Sequence, residues 1–375
     1  MNQIRILALF LSSCEYGKYL GGAERRFLEI SSSLKRLGTE MFVLEYKPSL
    51  SEACGYSSYH SIKISRRFID NAILETARLI LKGIKACAEH KINLVYVPIR
   101  HCYGYNNIVN VIPAYIISLI LRKPLVIVFH HLQSMDPRDK NIVRLAAYRH
   151  AKACIAVSRA TADDFRKVFG LSRLVTSSNG VNSARFESIR RQEKIYDAVF
   201  FGRISEDKGV FTLLSAWKTL IGQMPSARLL LLGGVGLGHV KESWVEVIEK
   251  LGLSQNVTFS GFVSDEEAAR LLKSSRVFVL PSPAEGFGLV VVEAMAAGLP
   301  CILSNLPALR ENFHSKAVFV EPKDDKGLAQ AILRLLSDPE ECQRLIEKGQ
   351  ELVDRFSWEA AAKTELEILQ SVVKH

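Results

Sequence analysis

Pro281-Ser282-Pro283-Ala284-Glu285-Gly286-Phe287-Gly288-Leu289-Val290-Val291-Val292-Glu293-Ala294-Met295-Ala296-Ala297-Gly298-Leu299-Pro300 is the stretch on which the reading of this chain turns. It follows a short apolar run, Val277 to Leu280, with the character of a buried strand. The prolines end that strand, the glycines make a tight turn, and an apolar helix runs on to about Ala297, where Gly298 stops it. Free amides at the start of such a helix bind anions, and glycines let an anionic group approach the backbone closely. Glu285 lies in the loop, and Glu293 would stand about 12 Å further along were the whole stretch helical at 1.5 Å per residue. A single ligand of that length could touch both carboxylates.

Working outward, Gly202-Arg203-Ile204-Ser205-Glu206-Asp207-Lys208-Gly209 follows the first strand-like run of the second half, Ala198 to Phe201, and sets two cations in a loop bounded by glycines. Arg brings forked donors and Lys a point charge, a pair suited to a diphosphate. Leu232-Gly233-Gly234-Val235-Gly236-Leu237-Gly238 has the look of a dinucleotide fingerprint, but no acidic residue ends a following strand about twenty residues on, so it reads as a loop-forming run. Leu229 to Leu232, Val257 to Ser260 and Cys301 to Leu303 are further strand candidates. The first half repeats the rhythm. Ile4 to Leu11 leads to Gly21-Gly22-Ala23-Glu24 and then to a helical pattern carrying Phe27, Ile30, Leu34 and Leu37. Met41 to Leu44, Leu94 to Val97, Leu125 to Phe129 and Cys154 to Val157 follow as short apolar runs, with Asn71 to Cys87 an amphipathic helix among them. Continuous apolar strands separated by helices predict parallel sheets covered on both faces, hence α/β architecture in two doubly wound, Rossmann-like domains joined near residue 190. Trp358 to Val373 stands apart as a final amphipathic helix.

The 375 residues, 48% hydrophobic and 23% charged, suit two folded domains and exclude a disordered chain. The net charge of +10 is unevenly spread: residues 1 to 190 hold 28 Lys and Arg against 14 Asp and Glu, and the remainder 21 against 25. A first half at +14 faces something anionic, whether a phospholipid surface, a phosphorylated acceptor or nucleic acid. The seven cysteines form no C-x-x-C pair and sit mostly in apolar stretches, which points to a reducing compartment. No run reaches the length of a spanning helix; the nearest, Val111 to Leu121, contains Pro113 and Ser118. Ile6 to Leu11 with Ser12, Ser13 and Cys14 is too short, and preceded by too little positive charge, to read as a secretory signal.

Taken together, Gly21-Gly22-Ala23-Glu24, the G-R-x-x-x-x-K-G loop and P-S-x-x-E-G-F-G-L-x-x-x-E-A-M-A-x-G-x-P resemble the retaining glycosyltransferases of family 4. That resemblance implies the GT-B fold, with two Rossmann-like domains facing across a cleft. It implies an acceptor-side domain of residues 1–188, joined by a helix at 357–375 that crosses back, and a nucleotide-sugar domain of 189–356. Carried over position by position, Arg203 and Lys208 would neutralise the donor diphosphate, Glu285 would hold hydroxyls of the transferred sugar, and Glu293 would hold the ribose. Amides around Gly288, Leu289 and Val290 would take phosphate oxygens, with Gly22 approaching from the first domain. Phe262 and Val263 would lie against the base. His130, after Leu125 to Phe129, matches the first member of the family's His-Asp pair near the reacting centre, and here the second member is His131.

Glycosyl transfer requires stabilisation of the charge that grows on the leaving diphosphate. Arg203, Lys208 and the helix amides would supply it, and with no D-x-D pair beside these loops no metal is expected and no cofactor beyond the nucleotide sugar substrate. The expected acceptor is a glycan or a lipid-linked molecule in polysaccharide or glycolipid synthesis. The expected setting is cytoplasmic, with the basic pairs Arg25-Arg26, Lys35-Arg36, Arg66-Arg67 and Arg122-Lys123 resting on an anionic leaflet, and nucleic acid is not an expected partner. A catalytically silent anion-binding scaffold and a nucleotide-sugar epimerase of the same fold are the alternatives.

Overall fold

The computed structural model describes residues 3–10, 21–46, 59–64, 72–99, 105–131, 142–190, 192–235 and 241–374. They form two compact units, Met1–Gly180 with Trp358–His375, and Val181–Ser357. Leu11 to Cys14, Arg66, Arg67, Asn71 and Gly236 to Gly238, all named above, lie outside the described residues, as do Cys54 and Cys102 among the seven cysteines.

The described part of the first unit contains a parallel sheet of strands β1 Arg5–Leu9, β2 Glu40–Tyr46, β3 His60–Ile64, β4 Leu94–Ile99, β5 Leu125–Phe129, β6 Ala153–Ala156 and β7 Leu174–Thr176, in the order β3-β2-β1-β4-β5-β6-β7. β4 and β5 are buried along their whole length, which is why they read as unbroken apolar runs rather than as alternating ones. The helix Gly22–Arg36 connects β1 to β2, and the final helix Trp358–Lys374 packs beside it. Strands β3 and β7 lack the continuous apolar run that marks the other strands of this sheet in the sequence. Both are sheet edges, and an edge needs less apolar character than an interior strand: β3 contains His60 and Lys63, and β7 is exposed after Leu174.

The second unit repeats the plan with β8 Tyr196–Phe201, β9 Leu229–Leu232, β10 Val257–Gly261, β11 Ser275–Leu280, β12 Cys301–Ser304 and β13 Val318–Val320, ordered β10-β9-β8-β11-β12-β13 and again parallel. The chain enters and leaves this unit side by side, with the Val181 amide donating to the Phe356 carbonyl at 2.7 Å. The division therefore falls at Gly180 and Val181, ahead of the expected boundary between 188 and 189, because the short helix Ser183–Glu187 is fastened to the second unit through Arg185.

No helix among the described residues is long and apolar enough to cross a membrane. Val111 to Leu121 belongs to the helix Tyr105–Leu121, and its Val111, Ala114 and Ile117 are core residues of the first unit. Cys87, Cys154 and Cys301 are free and buried; burial pushes the first two thiols up to about 11 and about 12, and Cys301 further still.

Candidate functional site

In an open parallel sheet, ligands bind outside the carboxyl ends of the strands, where the strand order reverses. In the second unit that point lies between β8 and β11, the neighbours from which the two motif loops emerge. The loop after β8 runs through Gly202 to Ser205, makes one tight turn over Glu206–Lys208, and enters the helix Val210–Ile221. Gly209, at φ 75°, lets it press on its neighbour: a Cβ there would fall 2.1 Å from the Pro281 carbonyl oxygen. Gly233 meets the same loop from the β9 side, where a Cβ would fall 2.1 Å from the Gly202 oxygen. The Ile204 amide also donates to the Gly234 carbonyl at 2.8 Å.

These contacts bring the predicted residues together. Lys208 Nζ lies 2.7 Å from Glu285 Oε1, with the two side chains 24% and 14% exposed. Arg203 pairs with Asp207 and donates from Nε to Ser205 Oγ at 3.3 Å. Burial pushes the Asp207 carboxyl up, but the Ser205 hydrogen bond and the charges of Arg203 and Lys208 outweigh it and leave the carboxyl below its usual range. Phe262, directly after β10, is half exposed and covers Gly234 so closely that a Cβ there would fall 1.6 Å from its ring; Val263 follows it.

The apolar helix occupies Leu289–Ala296, so Glu285 to Gly288 are loop and the 12 Å spacing expected for a continuous helix does not apply. Gly288 sits at its start with φ 90°, and no side chain caps the first turn, which leaves the Leu289 and Val290 amides facing outward from the helix end. The loop is anchored from behind. Phe287 is buried edge-on against Phe356, with ring centroids 5.2 Å apart, and the Phe287 carbonyl accepts from Asn312 Nδ2 at 3.1 Å.

Glu293 is not a solvated helix carboxylate. It is buried, and its Oε1 lies 2.6 Å from Arg185 Nη2, while Arg185 Nη1 reaches Asp265 at 2.9 Å. Arg185 thus joins the helices Ser183–Glu187, Asp265–Lys273 and Leu289–Ala296. Nothing in the local sequence singles it out. A helix of five residues has no periodicity to single out one side chain, and the only signal was an Arg soon after Asn179-Gly180-Val181. In the first unit, Gly22 is the first residue of its helix and is exposed, while His130 follows β5 half buried beside His131. Among the described residues no cluster of three or more His, Cys, Asp or Glu could hold a metal ion.

Two doubly wound Rossmann-like units, with basic and acidic loops meeting at a strand-order reversal, define the GT-B class of α/β proteins. Residues 182–352 match the family described as Glycosyl transferases group 1, and residues 20–185 match Glycosyltransferase Family 4, so the two together take in most of the sequence. The chain belongs to these group 1 glycosyltransferases. It is 27% identical over 227 residues to an uncharacterised glycosyltransferase of Methanocaldococcus jannaschii, covering 56% of this chain and 57% of that one. The chain spans a little over half the length of the first curated relatives it matches. Among solved structures, a glycosyltransferase from Rickettsia africae superposes with a TM-score of 0.83 at 18% identity over the whole of both chains. The Anabaena protein HepE, solved with UDP and glucose, gives 0.79 at 22% identity, over 98% of this chain and 100% of that one.

Proposed function

We propose that this chain transfers a sugar, with retention of anomeric configuration and without a metal ion, from a nucleotide diphosphate sugar to a glycan or lipid-linked acceptor, in polysaccharide or glycolipid synthesis. The observation that carries the reading is the meeting of Lys208 and Glu285 at 2.7 Å where β8 and β11 part, a cation for the diphosphate beside a carboxylate for the sugar. The loops after β10, β9, β8 and β11 lie in that order across the sheet, a sequence that suits base, backbone-hugging link, diphosphate and sugar. HepE, whose structure holds UDP and glucose, supports a donor of this type.

In the reaction, the bond from the anomeric carbon to the diphosphate breaks and its electron pair stays on the diphosphate. Arg203, Lys208 and the Leu289 and Val290 amides stabilise that charge in place before the bond breaks. Glu285 orients the sugar hydroxyls and faces the positive charge on the ring. The acceptor oxygen bonds to the same face, and its proton leaves with the departing diphosphate. Glu293 receives the ribose, and Phe262 and Val263 receive the base. His130 belongs to the acceptor side.

The test is to incubate the purified protein with a panel of uridine, guanosine and adenosine diphosphate sugars and measure nucleotide release. Release from one donor, lost in Lys208→Ala with an unchanged melting temperature, is the expected result. No release from any donor, or full activity in that variant, overturns the assignment.

A further inference from the structure

The first unit keeps most of the positive charge, though less than the +14 of residues 1 to 190, because the final helix adds acidic residues. With the final helix included it holds 28 Lys and Arg against 16 Asp and Glu, and the second unit 21 against 23. Not every basic pair can meet a surface with both its members, since Arg26 is buried against Glu365. The topology shows where the remaining charge meets apolar surface. The connections β3 to β4, β4 to β5 and β5 to β6 step across the sheet in one direction, so right-handed crossovers place the helices Ala72–Glu89, Tyr105–Leu121 and Ile142–His150 side by side on one face. The helix Gly22–Arg36 steps the other way and lies on the opposite face with the final helix.

A surface helix ordinarily turns charge outward. Ala72–Glu89 instead turns outward Leu74, Ala77 and Leu81, with Leu81 69% exposed, while Leu79, Ala86 and Cys87 face the core. The neighbouring helix exposes Leu119 and Ile120, and the third exposes Ile142. Seven of the twelve large hydrophobic side chains exposed among the described residues lie on these three helices. They adjoin closely: a Cβ on Gly83 would fall 2.3 Å from Ile117 Cδ1, and Ser118 Oγ lies 3.1 Å from His150 Nε2. Leu81 and Ile120 are each within one turn of the Gly83–Ile117 contact. The ends of the same helices and the connections that follow them present Lys85, Arg122, Lys123, Arg149 and Lys152, with Glu89 the exposed carboxylate beside Lys85 at 3.6 Å.

We propose that this three-helix face docks on a bilayer carrying anionic lipid, with Leu81, Leu119 and Ile120 entering the headgroup boundary and Lys85, Arg122 and Lys123 meeting lipid phosphates. The proposal rests on the lipid-linked acceptor of the functional reading and gives it a surface. Charge decides the occupant. A second copy docked symmetrically through this face would set like charges against one another, whereas an anionic leaflet complements them and accepts exposed leucine and isoleucine side chains.

Sedimentation of the full chain with neutral and with phosphatidylglycerol-containing vesicles, at low and high salt, tests this. The wild-type protein binds the anionic vesicles at low salt and is released at high salt. Lys85→Gln, Arg122→Gln and Lys123→Gln together weaken binding roughly a hundredfold. Leu81→Gln with Ile120→Gln weakens it by about tenfold or more while the melting temperature and nucleotide release persist. Lys218→Gln, Lys250→Gln and Lys326→Gln, exposed in the second unit, leave it unchanged. Wild-type binding that survives both first-unit variants overturns this face while leaving a lipid-linked acceptor standing. Binding to neither vesicle overturns the docking, and donor hydrolysis then reports separately on the transfer reaction. A dimer in solution that Leu81→Gln with Ile120→Gln converts to monomer assigns the face to a second copy and overturns the proposal.

Discussion

The two units each contain an ion pair between residues far apart in sequence, and the pairs do opposite things. In the first unit Arg26 meets Glu365 on the final helix, with side chains 1% and 0% exposed. Tyr96 on β4 donates to the other carboxylate oxygen at 3.0 Å, and Arg26 also donates to Ser177 Oγ at 3.3 Å. Burial disfavours the guanidinium charge, but Glu365 and Tyr96 more than restore it, and the Arg26 pKa ends raised. The Tyr96 hydroxyl, buried and beside the same carboxylate, is pushed well above its usual range. Lys208 and Glu285 in the second unit lie instead at strand ends, within reach of water and of a ligand. A pair enclosed in the core cannot exchange partners, so its chemistry is spent on holding the final helix against β4 and the helix Gly22–Arg36. A pair at the mouth of two loops can open toward a substrate and close behind it.

The comparison is broken most severely in the first unit. Arg26→Met or Glu365→Leu alone leaves a buried charge without its partner and should cost about 3 to 5 kcal/mol of stability. Both changes together should restore most of it, since apolar replacement of a whole buried pair is often neutral. Urea denaturation of the two single variants and the double variant measures this. Equal instability of all three would show that the pair does more than satisfy itself. In the second unit the expected loss is in rate: Lys208→Ala and Arg203→Ala should each lower donor turnover by more than tenfold, about 2 to 4 kcal/mol of transition-state stabilisation, with little change in melting temperature. Glu285→Gln should impair transfer while nucleotide diphosphate binding, read by calorimetry, stays nearly intact.

Arg185 falls between the two kinds. It is mostly buried, yet its partner Glu293 is the carboxylate proposed for the ribose. Arg185→Ala should therefore lower stability by about 1 to 3 kcal/mol and also weaken nucleotide binding, whereas a purely structural role would leave binding untouched. The smallest effect belongs to Asp207. Its pKa is lowered from an unfolded value of 3.8, so its contribution is present above that pH and is lost as pH falls through the folded value. With Asp207 and Arg203 both about two-fifths exposed, solvent screening holds the contribution to about 0.5 kcal/mol. Denaturation midpoints of Asp207→Asn and wild type should differ above pH 3.8 and converge as pH falls below it, through the lowered folded value.

Much of the plan was readable from residue order. Leu125–Phe129 and Leu229–Leu232 coincide with their strands, because a strand covered on both faces must be apolar at every position and its ends are marked by the first polar or glycine residue. The loops after β8 and β11 were legible for the same reason: glycine and proline mark where the backbone turns, and charged residues confined between them have few other purposes. Arg203, Lys208, Glu285 and Gly288 are therefore residues that the sequence alone singled out.

What it could not determine was who meets whom across the chain. From its sequence Arg26 reads as a surface cation, since nothing near it announces a carboxylate 339 residues away. Glu293 has the spacing of an ordinary helix glutamate until the helix Ser183–Glu187 folds over it with Arg185. The outward leucines of Ala72–Glu89 likewise look like core until the sheet order shows which face is already covered. Residue type, glycine placement and apolar periodicity act over a few neighbours and so determine elements and loops. Burial and pairing between distant residues depend on how elements stack, and only the tertiary structure decided them.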